Sequence, residues 1–106
     1  MTPEGKVKTW CRRKGGAFDV VFPGHVRVSP RGGPFGQTGV ADDILCWRGV
    51  FIAIEVKHDT GVATPLQIKF LKEVIAAGGV GAVLKGKDMA RLYAIRDAAL
   101  EKVNEL

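Results

Sequence analysis

Hydrophobic and polar residues alternate most regularly between residues 42 and 57. Two runs rich in β-branched and aromatic residues are joined there by Arg48-Gly49, and a two-residue loop containing glycine between such runs predicts a β-hairpin. In this register Trp47 lies opposite Val50, and successive side chains point to opposite faces of the sheet. The apolar face, which we expect to be buried, consists of Leu45, Trp47, Ile52, Ile54 and Val56.

The other face of the hairpin becomes charged at one end. The same register places Asp42 directly opposite Glu55, with Lys57 two residues further along the second strand. Like charges directly opposite each other destabilise a sheet, so we expect a positive charge between them. A longer loop or a bulge would bring Asp43 opposite Glu55 instead, which leaves the identity of the aspartate open.

The pattern outside the hairpin predicts alternating helices and strands. Pro3 follows a capping threonine, and Pro65 follows another, so both suit the first position of a helix. The predicted elements are a helix from Thr2 to about Lys14, a strand from Ala17 to Phe22, a short strand from His25 to Val28, a helix from Thr64 to Gly78-Gly79, a strand from Val80 to Leu84 and a helix after Asp88. We expect one α/β domain spanning residues 1–106, with a mixed sheet flanked by helices.

Two groups of basic residues are candidate contacts for DNA. Residues 29–39 are rich in glycine and proline and predict a loop, which would be either a DNA-facing flap with Arg27 and Arg31 or an ordinary connector. Lys85 and Lys87 lie just after the strand predicted from Val80 to Leu84. There they would either contact phosphate or be ordinary surface lysines.

Composition narrows the class of protein. A chain of 106 residues with 46% hydrophobic residues can bury a small core, and its formal net charge of +5 permits a polyanionic partner. Cys11 and Cys46 have no metal-binding spacing and are expected to be reduced thiols of a cytoplasmic protein. The charged start predicts no signal peptide, and no apolar run approaches the length of a membrane span.

Paired carboxylates beside a lysine indicate a particular chemistry. Magnesium is usually held by one or two carboxylates together with water and substrate phosphate. An ion held by Asp42 and Glu55 could activate a water for phosphodiester hydrolysis, and Lys57 could orient that water or neutralise developing charge. No Ser-His or Cys-His arrangement suggests a covalent intermediate.

These residues resemble a known family. Asp42, followed by Glu55-x-Lys57 on a hairpin, is similar to the core of the PD-(D/E)xK nucleases. The wider pattern resembles VRR-NUC (virus-type replication-repair nuclease) domains, especially the small stand-alone ones of bacteriophages. It comprises Gly39-Val40-x-Asp42, Arg48-Gly49-x-Phe51-Ile52-Ala53-Ile54-Glu55-x-Lys57, Thr64-Pro65-x-Gln67 and Ala77-Gly78-Gly79. Where that family usually has proline before the aspartate, this chain has Ala41.

The resemblance extends the expected site. It implies a restriction-endonuclease-like fold, and it suggests that Glu4 of the first helix reaches the metal site, although Glu4 could instead be a first-turn acid that the helix dipole favours. Gln67 falls on the apolar face of its helix and would support Lys57 or the attacking water, unless it merely caps that helix. The backbone carbonyl of Val56 is a further candidate metal ligand, and Asp43 is a weaker one.

The sequence therefore predicts an endonuclease that depends on Mg²⁺ or Mn²⁺ and uses no small-molecule cofactor. Nothing resembles a base-reading helix, so we expect DNA to be read by its shape and backbone. The family implies branched DNA, such as Holliday junctions, and cutting two strands suggests a homodimer. The alternatives are a catalytically inactive nucleic-acid-binding or assembly module and, less favoured, a sequence-specific restriction enzyme.

Overall fold

A mixed sheet forms the centre of the protein. The computed structural model describes residues 1–30 and 39–105, which form four helices and four strands. The elements are α1 (Pro3–Arg12), α2 (Ala17–Val21), β1 (Val26–Val28), β2 (Asp43–Trp47), β3 (Val50–Lys57), α3 (Pro65–Ala76), β4 (Val80–Lys85) and α4 (Met89–Glu105). The strand order is β1-β2-β3-β4, in which β3 and β4 are parallel and the other neighbouring pairs are antiparallel. This mixed α/β architecture confirms the predicted fold class and is compatible with an α/β nuclease-like core.

Helices cover both faces of the sheet. On one face α1, α2 and α4 pack over the predicted apolar side of the hairpin, and their buried residues form the larger hydrophobic core. On the other face α3 packs over a smaller cluster of Ala41, Ala53, Leu71 and Val74. The two faces differ because successive residues of β2 and β3 point to opposite sides.

The central hairpin has the predicted register. Trp47 pairs with Val50, and the pairing continues to Asp43 opposite Ile54. Arg48 and Gly49 both have positive φ angles, of 52° and 81°, which the tight hairpin turn that matches the twist of the strands requires. The alternative register, with Asp43 opposite Glu55, does not occur.

One predicted strand was wrong. Residues 17–21 form the short helix α2, not a strand. Phe18 and Phe22 lie one helical turn apart and are both buried, while Asp19 and Val20 face solvent. The buried residues recur with a helical period. In the sequence this period was hard to recognise, because most residues of the segment are apolar. The Asp19 carboxylate also accepts a hydrogen bond from the Gly15 backbone N–H at 2.7 Å.

The remaining elements follow their predicted signals. Thr2 caps α1, and the Asp88 carboxylate accepts a hydrogen bond from the Arg91 backbone N–H at the start of α4. β4 pairs in parallel with β3 and lies at an edge of the described sheet. Both cysteines are free thiols, and burial together with the nearby Asp43 carboxylate raises the pKa of Cys11 to about 12. Among residues 1–30 and 39–105, no helix has the length and apolar character needed to cross a membrane.

Candidate active site

Asp42 and Glu55 meet where the hairpin strands end. The paired register ends at Asp43 opposite Ile54, and Asp42 lies in a bend one residue before β2, at the end of the hairpin where Glu55 is found. The Asp42 carboxylate is close enough to Glu55 to act on its pKa. The two carboxylates are therefore neighbours.

The chain before Asp42 is held tightly against α3. Gly39 has a φ of +81°, and a Cβ atom there would lie 2.6 Å from the Leu66 carbonyl oxygen. Only glycine, which lacks a Cβ atom, can adopt that backbone conformation at so close an approach. Ala41 is buried in the cluster beneath α3. This packing fixes where the backbone enters β2, and with it the position of the Asp42 carboxylate.

Helix α1 adds a carboxylate and an ammonium group to the same place. Lys8 Nζ lies 3.0 Å from Glu4 Oε2 and 3.2 Å from Asp42 Oδ2. Lys57 Nζ lies 3.4 Å from Glu55 Oε1 and 3.7 Å from Glu4 Oε1. The result is a cluster of three carboxylates and two lysines, which we call the acidic cluster: Glu4, Lys8, Asp42, Glu55 and Lys57.

Glu55 is the least satisfied member of the acidic cluster. The residue is fully buried, and within the described part of the chain neither of its carboxylate oxygens accepts a hydrogen bond. Burial and the adjacent Asp42 carboxylate raise the pKa of Glu55 to about 7, and the Lys57 ammonium only partly offsets them. A buried carboxylate without hydrogen bonds is costly, so its retention here points to an additional partner.

The donor set fits a hard divalent cation. Magnesium needs one or two carboxylates, and its remaining ligands are water and phosphate oxygens. Asp42 and Glu55 supply two adjacent carboxylates, and within the described residues neither oxygen of Glu55 accepts a hydrogen bond. Across residues 1–30 and 39–105, no group of three or more His, Cys, Asp or Glu side chains is arranged to hold a metal. In the acidic cluster each lysine lies between Glu4 and one of the other two carboxylates.

Asp43 lies on the opposite face and has a full set of partners. Arg12 Nε and Nη2 donate to its two oxygens at 2.8 and 2.9 Å, and Arg27 Nη1 donates to Oδ1 at 3.2 Å. We call this group the arginine network. The Asp43 carboxylate is fully buried within it. Asp43 is therefore placed away from Glu55, and the guanidinium of Arg27, a predicted DNA contact, is engaged with Asp43 and Ser29.

Gln67 has the capping role that the sequence left open as an alternative. Its Oε1 accepts a hydrogen bond from the Thr64 backbone N–H at 2.8 Å, while Thr64 Oγ1 accepts from the Gln67 backbone N–H at 3.2 Å. This reciprocal pair is a capping box that fixes the start of α3. Among the hydrogen bonds of the described residues the Gln67 side chain contacts Thr64 and not Lys57, and its supporting role at the site stays a prediction.

A basic cleft lies beside the acidic cluster. It has a volume of about 620 Å³, and its lining includes Lys6, His58, Asp59 and Lys87. Since His58 directly follows Lys57, the cleft adjoins the site. Lys85 is exposed and pairs with Lys57 across β3 and β4, which places both side chains on one face.

Two of the predicted residues keep an untested role. Val56 pairs with Leu84 in the parallel part of the sheet, and its side chain is buried in the larger core. Its backbone carbonyl remains a candidate ligand. Arg31 lies outside the described residues.

Two residues of this region were not predicted. Lys8 joins the acidic cluster and Arg12 the arginine network. Glu4, Lys8 and Arg12 recur every four residues, and this spacing places them along one side of α1. That spacing was the available signal, but Lys8 and Arg12 look like ordinary surface charges until the hairpin is known to lie beside them.

The chain matches no protein-family model, no curated protein and no solved structure. Its resemblance to VRR-NUC domains thus consists of the sequence motif itself, and the activity that the motif implies is a proposal.

Proposed function

We propose that the protein is a DNA endonuclease that hydrolyses phosphodiester bonds with the help of Mg²⁺ or Mn²⁺. The observation that carries the proposal is Glu55, a buried carboxylate without a hydrogen bond, which lies beside Asp42 and an ammonium group. In a chain selected only for stability, this position would favour an apolar residue.

The two hairpin carboxylates have the role of metal ligands. An ion bound by Asp42 and Glu55 would supply Lewis-acid activation of water and stabilise negative charge on the phosphate. Glu55 is held on the central strand β3 within the sheet, and Asp42 is fixed by the packing of residues 39–41 against α3. Such rigid placement favours catalysis, because the ligands need not reorganise during the reaction.

Lys57 has the role of the positive group at the reacting phosphate. Its side chain is 14% exposed and is held between Glu55 and Glu4. The two carboxylates hold the ammonium in place beside the proposed metal ligands. From there Lys57 can hold the attacking water or neutralise charge that develops on the phosphate oxygens.

The substrate is expected to be DNA that is recognised by its backbone. The net charge of +5 and the basic cleft with Lys6 and Lys87 favour a polyanion. Branched DNA, such as a Holliday junction, is proposed on the resemblance to viral VRR-NUC domains. We also propose a homodimer, since the two acidic clusters of a dimer could each act on one strand of the DNA. The edge strand β1, which carries the exposed side chains of Val26 and Val28, is a candidate dimer contact.

A cleavage assay tests this function. A labelled four-way junction and a linear duplex of the same sequence are incubated with the protein in Mg²⁺, in Mn²⁺ and in EDTA. We expect metal-dependent products from the junction, and we expect Lys57→Ala to abolish them while binding persists. Lys69→Ala, which removes an exposed lysine of α3 that pairs with Glu73, is the control and should cut normally.

The alternative outcomes are distinct. Binding of the junction without a product in either metal would identify a nucleic-acid-binding module instead. Cutting of the duplex at discrete positions would indicate sequence-specific restriction.

A further inference from the structure

Lys8 is the member of the acidic cluster that the proposed reaction does not use. It follows Glu4 by one helical turn, and its ammonium bridges Glu4 Oε2 at 3.0 Å and Asp42 Oδ2 at 3.2 Å. Burial alone would lower the pKa of Lys8, but the hydrogen bond to Glu4 and the Asp42 carboxylate outweigh it and raise that pKa. The bridging group is therefore an ammonium in direct contact with both carboxylates.

The Lys8 ammonium and a divalent cation require the same carboxylate. Magnesium approaches carboxylate oxygens to about 2.0–2.1 Å. An ion at that distance from Asp42 Oδ2 would lie close to the Lys8 nitrogen, which is 3.2 Å from the same atom. Two cations so near each other repel strongly in a partly buried site. Simultaneous contact of both with Oδ2 is therefore unfavourable, and an ion on the other oxygen would still be repelled by the ammonium.

The two lysines of the cluster differ in their freedom to leave it. Lys57 belongs to β3 and is 14% exposed, whereas Lys8 lies on α1 and is 22% exposed. Lys8 contacts neither oxygen of Glu55 among the described ion pairs. Its long side chain can turn toward solvent without uncovering the buried glutamate.

We propose that Lys8 is an exchangeable counter-ion: its ammonium neutralises Glu4 and Asp42, withdraws when a divalent cation binds to Asp42, and so lowers the metal affinity of the site. This inference rests on the proposed function, because it concerns the same metal ligands. It predicts that the positive charge of Lys8 stabilises the metal-free protein and opposes metal binding.

Calorimetric titration with MnCl₂ tests the proposal on the full chain. Lys8→Met removes the charge, Lys8→Gln removes it but keeps a hydrogen-bond donor, and Lys8→Arg keeps it. We expect Mn²⁺ to bind about tenfold more tightly to Lys8→Met and Lys8→Gln than to the unmodified chain, because the competing charge is gone. Lys8→Arg should bind as the unmodified chain does. Lys69→Met, which removes an exposed lysine of α3 that pairs with Glu73, controls for the change in net charge and should leave the affinity nearly unchanged.

Urea unfolding gives a second readout. In EDTA we expect Lys8→Gln to be less stable than the unmodified chain, because Glu4 and Asp42 lose their counter-ion. Saturating Mn²⁺ should close that gap, since an ion that binds more tightly stabilises the folded state more, by RT ln(1 + [L]/Kd).

The outcomes separate this inference from the proposed function. Equal or weaker Mn²⁺ binding in both charge-removing variants would overturn the counter-ion role, while the metal site would stand if Glu55→Gln abolishes binding. Absence of Mn²⁺ binding in the unmodified chain and in all variants would overturn both proposals.

Discussion

Asp42 and Asp43 are neighbours in sequence but have opposite surroundings. Asp43 is buried in the arginine network, where two guanidinium groups satisfy both of its oxygens. Asp42 lies in the acidic cluster, with Lys8 as its ion-pair partner and the unsatisfied Glu55 beside it. A fully paired buried charge serves the fold, whereas carboxylates that crowd each other need a further cation. The comparison indicates a structural role for Asp43 and supports Asp42 as the aspartate of the proposed active site.

The largest expected effect is on cleavage. Asp42→Asn should reduce the rate by about a thousandfold, since it removes a metal ligand, which corresponds to about 4 kcal/mol in the activation free energy. Asp43→Asn should retain most of the activity per folded molecule, because its carboxylate faces the other side of the sheet. Single-turnover cleavage of a four-way junction at saturating protein measures both. The opposite ranking would show that the hairpin pairs differently.

Stability should respond in the reverse order. Asp43→Asn is expected to lower the free energy of unfolding by about 3 kcal/mol, the lower end for a broken buried ion pair, because both arginines are partly exposed and can hydrate. Asp42→Asn should cost little, since it relieves repulsion with Glu55. Urea unfolding in EDTA compares the two, with the exposed Asp97→Asn as control. Equal losses in Asp42→Asn and Asp43→Asn would remove the distinction between structural and chemical aspartates.

A smaller effect depends on pH. The pKa of Glu55 is raised from 4.5 to about 7, so between these values the folded state binds more protons than the unfolded state. The contribution of Glu55 to stability is therefore present at low pH and falls as pH rises from about 4.5 to about 7. In EDTA, the free energy of unfolding of Glu55→Gln should rise relative to that of the unmodified chain by on the order of 2 kcal/mol as pH increases across this range. Parallel stability curves for the two proteins would contradict the raised pKa.

The smallest effects should come from the basic cleft. Lys6→Ala and Lys87→Ala should each weaken junction binding uniformly and reduce the slope of log affinity against log salt by about 1. Fluorescence anisotropy at several salt concentrations measures this slope, with Lys69→Ala as control. An unchanged slope in both variants would mean that DNA does not follow the cleft.

The sequence was most informative where a pattern has a single geometric solution. Arg48-Gly49 fixed the hairpin register, and the alternation of side chains then separated the core face from the charged face. Thr64 and Pro65 likewise located the start of α3, because a capping threonine followed by proline suits only the first positions of a helix. Local chemistry was sufficient at these positions.

Contacts between distant elements were harder to predict. The arginine network joins residues 12, 27 and 43, and no local pattern shows that α1 and β1 meet at the start of β2. The contacts of Gln67 depended on whether its amide turns toward its own helix end or toward the sheet. In the structure its Oε1 atom accepts a hydrogen bond in the capping box. Residues 17–21 were ambiguous because a short apolar run suits a buried strand and a buried helix equally.

The most direct test of the division between the two aspartates is a crystal structure soaked in Mn²⁺ and measured by anomalous scattering. We predict one or two anomalous peaks in contact with both Asp42 and Glu55, with the Asp43 carboxylate still bound by Arg12. A peak on Asp43, or none beside Glu55 at saturating Mn²⁺, would contradict the proposed active site.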